Sequence, residues 1–122
     1  MLHVIGILVL SSQIAVAVET KDGFVEAWFA TTSAGMEELI GFVENSLADL
    51  GDDDGIHIIV GSLDDAADMH LVIDKLVILG IPHGYATSAT IRASAEKHKL
   101  AELSPKAVAL AFRRPVGINR PN

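Results

Sequence analysis

No cysteine occurs among the 122 residues of the chain. Disulfide staples, cysteine-ligated zinc and thiol catalysis are thereby excluded, and a reducing compartment is permitted. No glycine-rich phosphate loop is present. The stretch Gly51-Asp52-Asp53-Asp54-Gly55 is acidic and would repel phosphate. The serines at 11, 12, 62, 88, 94 and 104 sit in no nucleophile elbow. The apolar run that opens the chain is broken by Ser11-Ser12-Gln13 and is too short to cross a bilayer. Bases are nearly missing from residues 1–90, which carry 14 acids and 2 bases, whereas residues 91–122 carry 2 acids and 7 bases. The net charge is −7. An acidic body repels phosphate backbones, which disfavours nucleic acid as a partner. Only the basic C-terminal segment, with Arg92, Lys97, Lys99, Arg113 and Arg114, offers a contact to nucleic acid or to an acidic protein surface.

Half of the residues are hydrophobic and 20% are charged, a balance that buries a core and argues against disorder. The length suits one domain. Ala15-Val16-Ala17 resembles the cleavage site of a secretory signal, but only Met1, Leu2 and His3 precede the apolar run and no basic region does. The opening is therefore read as strands. Val4–Leu10 is almost purely aliphatic, the pattern of a central strand buried on both faces. Ser11-Ser12 makes a tight turn, and Ile14, Val16 and Val18 recur at period two. Lys21-Asp22-Gly23 carries a second turn signal, and Phe24–Ala30 is a third strand, completing an antiparallel meander.

A helix follows, capped by Thr32 or Ser33, with Glu37 and Glu38 in its early turns and Met36, Leu39, Ile40, Val43, Leu47 and Leu50 along one stripe. Ile56–Val60 is a fourth strand. Asp64 or Asp65 caps a second helix with Met69, Val72, Ile73 and Leu76 as its buried stripe, and Gly80 ends it. Ile81–Ala86 is a fifth strand, with Pro82 near its start. The rest is helical, with Ser104-Pro105 as a start signal. The order β-β-β-α-β-α-β-α implies an α/β fold. A five-stranded mixed sheet is covered by helices, with the first strand between the second and the fourth. That is the order of the ribonuclease H-like fold, over residues 1–113, with 114–122 an irregular tail.

At the level of motifs the chain resembles the N-terminal RuvC-like domain of the DEDD transposases, the Piv/MooV invertase family. The family's first strand reads roughly G-I-D-V-S-K, and Gly6-Ile7-Leu8-Val9-Leu10-Ser11 corresponds to it. Thr32-Ser33-Ala34-Gly35 matches a Thr-x-x-Gly phrase, and Gly80-Ile81 a later Gly-Ile. Ala101–Ala111 carries the trailing A-x-x-L-A of the last helix. The resemblance implies a ribonuclease H-like fold and four carboxylates holding two divalent metals. Those positions read Leu8, Leu63 or its neighbour Asp64, Leu103 and Lys106. Two-metal chemistry cannot be built from at most one acid, so the resemblance implies a transposase- or nuclease-like domain without catalysis.

Other candidates have plainer readings. Asp64, Asp65 and Asp68, near His70, form a weak metal candidate but suit a helix start better. Asp52-Asp53-Asp54 with His57 lacks calcium-loop spacing. His3 and His83 are placed on neighbouring strands in surface or structural roles. Trp28 and Phe29 are adjacent and must face opposite sides of the sheet, exposing one of them. The expectation is a cytoplasmic binding or assembly module without cofactor, forming homodimers through Trp28 and Phe112 or engaging a protein partner, with no membrane contact. A metal-dependent nuclease using Mg²⁺ or Mn²⁺ and a displaced acid set, and a nucleic-acid-binding remnant, are its rivals.

Overall fold

The aliphatic opening run becomes β1 (Leu2–Val9), the middle strand of a five-stranded sheet. The computed structural model describes residues 2–20, 23–48, 55–62, 69–81, 83–100 and 104–111. The elements that follow β1 are β2 (Gln13–Thr20), β3 (Gly23–Ala30), α1 (Ser33–Ala48), β4 (Gly55–Gly61), α2 (His70–Ile78), β5 (His83–Ala86), α3 (Ser88–Lys97) and α4 (Pro105–Ala111). The sheet order is β3-β2-β1-β4-β5. The first three strands are antiparallel neighbours, and β4 and β5 add in parallel. The expected α/β class, the mixed sheet and the central place of the first strand are all present.

Period-two alternation along β1 sorts the core into two layers. Ile5, Ile7 and Val9 face α1 and α2 and cluster with Ile14, Val16, Ile58, Val60, Met36, Leu39, Val43, Val72 and Leu76. Val4 and Leu8 face the opposite way, onto α3 and α4, with Ala15, Ile59, Ala86, Ile91, Ala95, Ala107, Val108 and Ala109. A strand apolar on both sides is stable only between two helical layers, so the unbroken run dictates the three-layer arrangement. Each fully buried aliphatic side chain contributes about 1.5–3 kcal/mol.

The small residues of α4 let it lie directly on the sheet. A side chain at Gly6 would collide with the Pro105 carbonyl oxygen and stand 2.5 Å from the Ala109 nitrogen. Gly6 is therefore the point at which the α4 backbone touches β1. Gly35 plays a similar part in α1, since a Cβ there would run into the Ala30 carbonyl at the end of β3.

Local signals set the element ends. Leu10 N donates to Gln13 O at 2.8 Å across the Ser11-Ser12 tip. Thr32 caps α1, its Oγ1 accepting from Gly35 N at 3.1 Å. The first turn of α1 contains no acid, so Glu37 and Glu38 lie one turn too late to meet the helix N-terminus. The α2 helix ends in a Schellman motif: Ile81 N donates to Leu76 O, Gly80 N to Val77 O, and Gly80 has φ +70°. Ile81 completes that cap and does not begin the fifth strand, which starts at His83. Ser104 precedes Pro105 at the start of α4, as its sequence signal predicts.

Two expectations are corrected. The C-terminal helical region is two helices, so the order gains a final α. The chain turns at Lys99, which has φ +56° and closes a second Schellman motif through Leu100 N to Ala95 O at 2.8 Å. His3 and His83 are not on neighbouring strands, because β4 lies between β1 and β5. The described part of α2 begins at His70 after Met69, with no side-chain cap. Lys21, Asp22, Leu50, the Asp52–Asp54 stretch, Leu63, Asp64, Asp65, Asp68, Pro82, Leu103, Phe112, Arg113, Arg114 and the tail lie outside the described residues.

Two stability changes follow. Gly6→Ala forces α4 off β1 and lowers stability by about 1–3 kcal/mol, the usual cost of overpacking. Lys99→Gly removes the left-handed strain of an L-residue and raises stability by about 0.5–1 kcal/mol. Urea unfolding midpoints measure both.

Candidate functional site

In an α/β sheet the carboxyl ends of the parallel strands are where ligands usually bind. Here those ends belong to β1, β4 and β5. Leu8, the residue in register with Gly61, points from β1 into the layer beneath α3 and α4 and is 0% exposed. A Cβ on Gly61 would stand 2.6 Å from the Ile91 side chain, so α3 packs tightly over this end of the sheet. Ser62 follows β4 and its hydroxyl donates to Val9 O at 2.6 Å, tying the ends of β1 and β4 together. Ser94, the buried polar residue of α3, donates to Ala107 O at 2.7 Å and locks α3 to α4. The strand centre is apolar, filled and covered.

Lys106 lies on α4 with its Nζ 5.4 Å from the ring centroid of Phe24 on β3, a cation–π contact. β2 separates that strand from β1. The ammonium is thus held over the far side of the sheet, and its position contributes no metal-binding oxygen. Among the described residues no group of three or more His, Asp and Glu side chains gathers in a way that would hold a metal ion. The weak metal candidates Asp64, Asp65 and Asp68 lie outside the described residues, while their neighbour His70 is exposed at the start of α2.

The basic candidates do not form one face where they are described. Arg92 and Lys97 are exposed on α3, but five residues place them on different sides of the helix. Glu96 is the residue one turn from Arg92. Lys99 is exposed beyond the helix end.

Exposed apolar surface collects in two other places. On β3, Val25 is 51% and Trp28 49% exposed, on opposite faces of the sheet, while Phe29 packs against Phe42 of α1 with ring centroids 5.7 Å apart. The alternation rule thus identified the aromatic pair correctly, and Trp28 is its exposed member. On α2 and at its C-cap, Leu71, Val77, Ile78 and Leu79 are exposed, Ile78 by 76%. A groove of about 230 Å³ beside them is lined by Glu37, Ile40, Lys75, Ile78 and Leu79. The α2 patch was not anticipated. Its signal was present in His70–Ile78, where apolar residues surround the helix instead of keeping to one stripe. On the short edge strand β5, His83 Nε2 meets the Tyr85 hydroxyl at 3.2 Å, and its Nδ1 donates to Ile81 O at 2.9 Å.

No helix among the described residues is long and apolar enough to cross a membrane. Compared with known proteins, the chain matches no family model and no curated protein.

Leu8 provides a direct test of the filled strand centre. Leu8→Ala costs about 2–5 kcal/mol, the range for a buried leucine. Leu8→Asp costs more at pH 7, because it buries an unpaired carboxylate. Its folded-state pKa is raised, so this extra cost shrinks as the pH falls through that value and the carboxyl protonates. Unfolding curves at pH 7 and pH 5 measure the difference.

Proposed function

We propose that the chain is a ribonuclease H-like module that acts by binding and assembly, with no nuclease or transposase chemistry of its own. The observation that carries this reading is the burial of Leu8. By the motif resemblance it stands where the DEDD transposases supply an acid, and it is 0% exposed beneath α3 and α4. Hard divalent metals take oxygen ligands, and two-metal cleavage requires carboxylates on both sides of the attacking and leaving oxygens. Leu8 offers no ligand, and Lys106 brings a positive charge to another of the family's acidic positions.

The sheet order supports a ribonuclease H-like fold: a three-stranded antiparallel meander continued by two parallel strands on the far side of the first. Binding also accords with the exposed large hydrophobic residues, which include Val25 and Trp28 on β3, Leu71, Val77, Ile78 and Leu79 on and just after α2, and Tyr85 on β5. The acidic body disfavours a duplex as the partner, which leaves protein as the better class.

The expected result with purified protein is no cleavage of single strands, duplexes or junctions in Mg²⁺ or Mn²⁺. Robust metal-dependent cleavage, lost in Asp64→Asn, would overturn the proposal.

A further inference from the structure

β3 is an edge strand, and edges display N–H and C=O groups that a further strand can pair with. Proteins usually blunt such edges with proline, lysine, a bulge or a very short strand. β3 has none of these. It runs for eight residues, Gly-Phe-Val-Glu-Ala-Trp-Phe-Ala. Its register with β2 is continuous from Gln13↔Ala30 to Thr20↔Gly23, without a bulge. Glu26 is its single charge. Among the described residues no strand pairs with its outer side. The opposite edge, β5, is only four residues long.

We propose that the outer edge of β3 pairs antiparallel with β3 of a second copy, joining two five-stranded sheets into one across a two-fold axis at Ala27. Three constraints select this pairing. First, a two-fold contact between identical edges is antiparallel and closes after two subunits. Second, the helical layers stay on matching sides only if opposed residues share a face. The axis then passes through a residue, and the two nearest the strand middle are Glu26 and Ala27. Third, an axis at Glu26 sets two carboxylates directly opposite each other, which is unfavourable. An axis at Ala27 sets Glu26 opposite the partner's Trp28, Val25 opposite the partner's Phe29, and Phe24 opposite the partner's Ala30. Both half-exposed apolar residues then gain an aromatic neighbour, directly or on the diagonal. Seven residues a side are fewer than the 20–30 of a standard interface, so the dissociation constant falls in the micromolar range or above.

This deepens the assembly reading and rests on it. The natural chain has no thiol, so a single introduced cysteine reports one position cleanly. In the full chain at about 100 μM, the wild type should sediment as a monomer–dimer mixture. Ala27→Cys should give a disulfide or short bis-maleimide cross-link at least tenfold faster than Val25→Cys, which sits four residues from its own copy. Trp28→Asp should weaken the dimer at least tenfold while circular dichroism stays unchanged. A monomeric wild type, or equal cross-linking at positions 25 and 27, overturns the pairing and leaves the non-catalytic reading standing. Metal-dependent cleavage overturns that reading whichever way the cross-links fall.

Discussion

The contact between α4 and β1 at Gly6 is the constraint on which the rest of this structure depends. A helix backbone can approach a sheet this closely only if both surfaces are stripped to small groups. The chain supplies glycine on the strand and Pro105, Ala107, Val108 and Ala109 on the helix. Once α4 is seated, Val4 and Leu8 are sealed on one side of β1. The helices α1 and α2 seal Ile5, Ile7 and Val9 on the other. The central strand thus becomes a purely packing element. An acid there would have to be buried without water or a partner, at a cost well above that of an ordinary core substitution.

The carboxyl ends of β1 and β4 are stitched by Ser62, and α3 is tied to α4 by Ser94. The exposed large hydrophobic residues lie on β3, on and just after α2, and at Tyr85 of β5. The described basic residues of α3 do not share one face, and the body of the chain is acidic.

Much of this was legible in the sequence because its signals are strong and local. The aliphatic run Val4–Leu10 called for a strand between two layers. Ser11-Ser12 gave the hairpin, Thr32 a cap, Gly80 a helix end and Ser104-Pro105 a helix start. The break after α3 was hidden because its left-handed residue is Lys99 and not the glycine or asparagine that normally marks such a site. The exposed side of α2 was hidden because its apolar residues go all the way round the helix, so periodicity could not say which ones would meet the core. His3 and His83 were misplaced for a different reason: the order already set β4 beside β1, and a parallel fifth strand then had to lie beyond it. At the candidate site, the aliphatic run around Leu8 already read as core, while its packing against α3 and α4 depends on long-range contacts that no local signal carries.

The central claim is that the carboxyl end of β1 is a packed interior and not a metal site. Nuclear magnetic resonance of the isotope-labelled chain during titration with Mn²⁺ tests it most directly, because bound Mn²⁺ broadens the signals of nearby groups. No saturable broadening is expected at the amides of Leu8, Val9, Gly61 and Ser62, with only weak, unsaturable effects at exposed acids. Saturable broadening centred on those four amides would contradict it.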